Sequence, residues 1–271
     1  MSAGKLWGVG IGPGDPELVT VKAARVIGEA DVVAFHSARH GKSISRGVAA
    51  PYMREGQIEE HLVYPVTTET VDHPGGYQGA MDEFYEAAAE RLAVHLAAGR
   101  TVALLAAGDP LFYSSYMHMH KRLADRFDAE VIPGVTSVSA ASAALGKPLV
   151  EGEEILTILP GTLPQAELTR RLKETDAAAI LKLGRTFPPV LQSLEDSGRL
   201  GEAPLRRARE HHTSTRRIRC GGRPGRSSVL LDRHRSEPVE QPSTCDRVSR
   251  RGGRGRTRAG RHRLDHTRSG A

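Results

Sequence analysis

Along the first two hundred positions apolar residues come in short runs of five or six, each closed by a turn and separated by stretches of helical period. The clearest runs are LWGVGI at residues 6–11 and TVALLA at residues 101–106. Neither alternates polar with apolar, so each predicts a strand buried on both faces, as in a parallel sheet covered by helices. Both runs end in the same turn chemistry, GPGDP at residues 12–16 and GDP at residues 108–110. These turns place two loops at the carboxyl edge of one sheet, the edge at which open α/β sheets bind ligands.

Between the two runs Asp15 is a helix cap, Pro16 suits a first turn, and Val19, Ala23, Val26, Ile27 and Ala30 recur at helical spacing. One helix to about residue 29 is predicted, followed by a second strand, DVVAF, at residues 31–35. Further on, the pattern predicts a strand at 61–66, a long helix at 77–98 closed by Gly99, and a helix at 115–127. EVIPGVTSVSAASAALG, from residue 130, predicts a strand, a turn and a helix almost without bulk, capped by Thr136 or Ser137. Strands at 154–159 and 177–183, alternating with helices at 165–174 and 189–197, predict a second α/β sheet. The fold class is α/β with two domains, 1–118 and 119–203.

Composition changes this picture only at the end of the chain. Residues 1–203 carry 19 Lys+Arg and 26 Asp+Glu, whereas residues 204–271 carry 19 Arg, no Lys and 6 acids, so the overall charge of +6 describes neither part. All twelve aromatic residues lie at or before Phe187, and only 13 of the last 68 residues are hydrophobic. Residues 204–271 are expected to be a disordered basic tail, which leaves the second domain truncated and residues 177–183 at an exposed sheet edge. A GC-rich gene read out of frame gives the same composition. A nucleic-acid-binding role for this end is disfavoured by its lack of aromatic rings on which bases stack. Both cysteines, Cys220 and Cys245, fall in it, so no disulfide or thiolate metal site is expected in the folded part, and a reducing cytoplasm fits. No apolar run is long enough to span a membrane.

Candidate chemistry narrows by exclusion. A dinucleotide fingerprint begun at Gly8 meets Pro13 where its last glycine should stand, and one begun at Gly10 meets Asp15. Gly41-Lys42-Ser43 lacks the strand and glycine of a P-loop. His118 and His120, two apart on a helix, point in different directions, so no metal site is expected. The polar run at 36–54, with His36, Arg39, His40, Lys42, Arg46 and Arg54, is expected to be a loop whose cations form a rim for acidic ligands.

In order along the chain stand GIGPGDPELVTVKAA, AAGDPLFYSSY, IPGVTSVSAA, ILPGT and ILKLGR. Together they resemble the tetrapyrrole methylases, and AGDPLFYSSYMHMHKRL with ILTILPGT is similar to the precorrin-2 C(20)-methyltransferases of cobalamin biosynthesis. The resemblance covers residues 5–201. It implies a homodimer of two α/β domains with S-adenosylmethionine between them, converting precorrin-2 to precorrin-3A. Other acceptors known for this fold are uroporphyrinogen III, a diphthine precursor and ribosomal RNA. Carried over residue by residue, the resemblance implies cofactor contacts at Gly12, Pro13 and Gly14, at Gly108, Asp109 and Pro110, and at Pro133, Gly134, Thr136, Ser137 and Ala141. Asp109 is the candidate proton acceptor. Arg39, Lys42, Arg46, Arg54, Tyr113, Tyr116, Lys182 and Arg185 are candidates for binding a substrate rich in carboxylates.

Overall fold

The computed structural model describes residues 3–39, 43–65, 73–207, 214–217 and 229–233. The first sheet consists of β1 (Lys5–Gly10), β2 (Val32–Ser37), β3 (Ile58–Val63), β4 (Val102–Ala106) and β5 (Asp128–Ile132), in the order β3-β2-β4-β1-β5. Every pairing in it is parallel. Because successive residues of a strand face opposite sides, the unbroken apolar runs supply two cores at once. Leu6, Val32, Ala34, Val102 and Leu104 pack under α3 (Gly76–Ala97) and α4 (Tyr116–Leu123). Val9, Val33, Phe35, Ala103 and Leu105 pack under α1 (Val21–Glu29) and α2 (Ile44–Ala49). β5 comes from beyond residue 118 and pairs with β1 from Lys5↔Asp128 to Val9↔Ile132, so this sheet extends past the expected domain boundary.

The second sheet joins β6 (Leu156–Pro160), β7 (Ala177–Leu181), β8 (Pro204–Arg207), β9 (Ser214–Arg217) and β10 (Val229–Arg233) in the order β6-β7-β10-β8-β9. One face is covered by α6 (Gln165–Glu174) and α7 (Phe187–Asp196), whose Leu168, Leu172, Val190 and Leu194 pack on Leu159, Ala178 and Ile180. α5 (Ser137–Leu145) covers Ala179 and Leu181 with Val138 and Ala141, and Phe112, from the first domain's second loop, packs into the same cluster. Arg199, nearly buried, donates to the carbonyls of Leu172, Thr175 and Asp176 and so closes the end of α6.

Three expectations are corrected here. The helix after the first loop is broken: Asp15 accepts from Glu17 N–H over a single 3-10 turn, Pro16–Leu18, and α1 starts afresh with Thr20 as its cap. The run at 36–54 is not one loop, since β2 continues to Ser37 and α2 follows, capped by Ser43. Nor is β7 an edge. β10 pairs with it in parallel, Val229–Leu231 against Ala178–Ile180, and VLL is the only run of three apolar residues after position 203. Short strands therefore form within the segment expected to be disordered, while residues 208–213, 218–228 and 234–271 lie outside the described residues. Among the described residues no helix is long and apolar enough to cross a membrane.

Candidate active site

Three loops at the carboxyl edge of the first sheet are held together through glycine backbones. Gly108 N–H donates to Gly12 O at 2.8 Å and Gly12 N–H to Gly108 O at 3.3 Å, with φ of +75° and +70° at Gly12 and Gly108. Those torsions belong to the left-handed region that glycine enters without steric cost. The third loop crosses against both. A Cβ on Gly10 would lie 2.5 Å from Gly134 N, and one on Gly134 would lie 2.9 Å from Gly10 Cα and closer still to Gly108 O. Gly10, which sequence reasoning weighed only for the failed fingerprint, is thus as constrained as the loop glycines that motif matching singled out.

Asp109 ties the crossing. One carboxylate oxygen accepts from Leu111 N–H at 2.9 Å, which shapes its own turn, and the other accepts from Gly134 N–H at 3.0 Å, which fastens the third loop to the second. Both oxygens of the expected proton acceptor are thereby engaged by backbone donors.

A cleft with about 760 Å³ of non-atom space, open solvent at its mouth included, lies over this crossing. Pro13 and Gly14 form one side, and Gly108, Asp109, Phe112 and Tyr113 another. The first turn of α5, with Thr136 and Ser137, and the end of β7, with Leu181 and Lys182, complete it. Ile44 and Ala107 also line it; these two, with Phe112 and Leu181, are wall residues not expected from the sequence. No local signal marks them, since apolar residues beside a turn read as core. The lining is that of a small-molecule site: mostly apolar walls with a few polar groups.

The remaining expected residues divide. Gly12 and Gly134 make the crossing behind the cleft, Pro110 is buried next to it, and Pro133 is exposed. Ala141 is fully buried between α5 and β7 and is a packing residue. Tyr116 is 1% exposed, its ring filling the space beside Gly8 and its hydroxyl 3.1 Å from His120 Nδ1, so it belongs to the core rather than to a substrate surface. Burial raises its hydroxyl pKa to about 12. Arg54 donates to Gly28 O and Ala30 O, at the opposite edge of the sheet from the cleft, and Arg46 is held by both oxygens of Glu59. Both are thus engaged by partners of this chain. Arg39 stays at the carboxyl edge, donating to Pro65 O at 3.0 Å; Arg185 is exposed three residues beyond Lys182; Lys42 lies outside the described residues.

A second polar cluster sits at the end of β2. His36 stacks on Tyr64 at 5.2 Å, meets Phe84 and Tyr85 edge-on, and its Nε2 is buried without a hydrogen-bond partner among the described residues. The Tyr64 and Tyr85 hydroxyls both donate to Ser115 Oγ, at 2.6 and 3.1 Å, and Tyr85 stacks on His118 at 4.3 Å. Burial, then the charge of His118, lowers the His36 pKa to about 4. His118 and His120 have different neighbours, and among the described residues no three His, Cys, Asp or Glu are grouped to hold a metal ion.

Two α/β sheets with a cleft over crossed glycine loops make this an α/β protein with a candidate small-molecule site. The family model of the tetrapyrrole (corrin/porphyrin) methylases matches residues 5–208, and the chain belongs to that family. The family uses S-adenosylmethionine. Over 204 residues, 75% of this chain, it is 69% identical to the cobalamin biosynthesis protein CobIJ of Mycobacterium tuberculosis (strain ATCC 25618 / H37Rv), but spans only 40% of that relative's length. It is 50% identical over 203 residues to the precorrin-2 C(20)-methyltransferase of Sinorhizobium sp, covering 75% of this chain and 83% of the relative. The crystal structure of the native uroporphyrin III C-methyltransferase from Thermus thermophilus shares the fold at 24% identity and a TM-score of 0.54, covering 74% of this chain and 80% of that one.

Proposed function

We propose that the chain binds S-adenosylmethionine in the glycine-lined cleft and transfers its methyl group to a tetrapyrrole, with C(20) of precorrin-2 as acceptor and precorrin-3A as product. The observation that carries this reading is the 50% identity to a precorrin-2 C(20)-methyltransferase along 83% of that relative. The cleft residues fit the donor. Gly14 and Gly108, without side chains, leave room for an extended ligand, Phe112 and Leu181 offer apolar walls to a nucleoside, and Lys182 supplies a cation. When bound, the donor supplies a methyl group already activated on a sulfonium. The chain's own contribution is placement: holding the acceptor carbon in line and keeping water out of the cleft.

Asp109 is assigned here as a positioning residue rather than the proton acceptor, because its two hydrogen bonds fix the loops that carry Gly108 and Gly134. The chain works as a homodimer in this reading, which sedimentation measures directly. The deciding experiment incubates the purified chain and methyl-labelled S-adenosylmethionine with precorrin-2 and, separately, uroporphyrinogen III. Label is expected in precorrin-2 alone; label in uroporphyrinogen III alone moves the acceptor, and calorimetry without affinity for the donor rejects the reading.

A further inference from the structure

Among the described residues only two non-glycine residues have positive φ, Tyr113 at +54° and Lys182 at +59°. They come from different sheets, Tyr113 from the loop after β4 and Lys182 from the end of β7, and both line the cleft. They also meet: the Lys182 ammonium lies 5.0 Å from the centre of the Tyr113 ring. Strained backbone of this kind persists where the surroundings enforce it and gathers at ligand sites. Among the described residues lining the cleft Lys182 is the only cation, and no described carboxylate pairs with it. Arg46 and Arg54, by contrast, are occupied by Glu59 and by backbone carbonyls.

We propose that Lys182, aimed across the cleft by its left-handed backbone and steadied by the Tyr113 ring, is the anchor for a ligand carboxylate. The inference deepens the cofactor reading and rests on it. A lysine is suited to the task because its ammonium gives up a cation–π contact of modest strength for a charge-assisted hydrogen bond to an anion. Two carboxylates reach such a site, the amino-acid carboxylate of the methyl donor or an acid side chain of the acceptor, and the test separates them.

The experiment compares the parent with Lys182→Gln and Lys182→Arg, using calorimetry with S-adenosylhomocysteine, which carries the amino-acid carboxylate, and with 5′-methylthioadenosine, which does not. Lys182→Gln is expected to lose about tenfold in one place only, the scale of one charge-assisted hydrogen bond. If S-adenosylhomocysteine weakens while 5′-methylthioadenosine does not, the anchored carboxylate is the donor's. If the KM for precorrin-2 rises with kcat and both nucleoside affinities unchanged, it is the acceptor's. Lys182→Arg keeps the parent behaviour in either case, and Tyr113→Leu weakens the same ligand by about threefold. Equal weakening of both nucleosides, or no change in any of these readouts, overturns the anchor alone. A parent with no affinity for S-adenosylhomocysteine overturns the cofactor reading and the anchor with it.

Discussion

At the scale of single residues the site is governed by what each side chain is already doing. Asp109 shows this most clearly, because Gly-Asp-Pro is consistent both with a reacting carboxylate and with a turn cap, and the third loop's arrival at 3.0 Å is the observation behind the positioning role proposed for it. Asp109→Asn presents an amide nitrogen to one of the two backbone donors and is expected to cost about 1–2 kcal/mol of stability. Its effect on turnover should enter through the KM for S-adenosylmethionine, with kcat within a few-fold of the parent; thermal melts and steady-state kinetics check both. His36 gives a prediction in pH. Its folded pKa, lowered to about 4, lies below the ordinary value near 6.5, so the unfolded chain binds the extra proton. The stability it contributes is complete above pH 6.5 and drains away as pH falls toward 4, by on the order of 3 kcal/mol. His118, lowered by burial and by Arg122 and Lys121, acts in the same direction, while Tyr64 and Tyr85 stay neutral throughout. Urea midpoints at pH 7 and pH 4.5 should converge in His36→Gln relative to the parent; an unchanged gap would reject the assignment.

At the scale of elements, strands were far more legible than the pieces between them. β1, β4 and β7 are nearly continuous apolar runs, and such a run is a strand wherever both faces are covered. α2 was missed because ISRGVA is six residues long, holds a glycine and shows no period; its start is fixed by Ser43, which accepts from Arg46 N–H and donates to His36 O. α5 was found from its cap and its small residues, yet the side it turns to β7 was not readable. Ala141 lies on that side against Ala179 and Leu181, so Ala141→Leu overfills a packed seam. The expected cost is about 1–3 kcal/mol in folding, at least as large as its effect on cofactor affinity, which is the reverse of what a cleft-lining alanine would show. Chemical denaturation and calorimetry on one preparation compare the two.

At the scale of the whole molecule the chain changes character where the family likeness stops. The match ends at residue 208, and Lys and aromatic residues are absent from position 204 onward. We expect the codons beyond this point to be read out of their original frame, and sequencing the gene tests it: the displaced frame should encode apolar strands. A displaced frame without such strands argues for an ordinary basic extension instead. Restoring that frame is expected to raise methyl transfer at least about tenfold, because the second sheet would then close with apolar strands, where the present chain offers only VLL at β10.

What the sequence determined by itself is local in origin: buried strands from unbroken apolar runs, turns from Gly-Asp-Pro, the cap at Thr136, and a family likeness carried by five short motifs in order. These properties depend on a few neighbouring residues, and so survive in the linear text. Tertiary structure alone decided which groups are free to act. Arg46 and Arg54 are as basic in the sequence as Lys182, but Glu59 and the carbonyls of Gly28 and Ala30 occupy them from 13 to 26 residues away. Lys182 is left facing the cleft beside Tyr113, 69 residues off in the chain. A side chain's availability is set by whatever packs around it, and a parallel sheet brings those partners from distant crossovers.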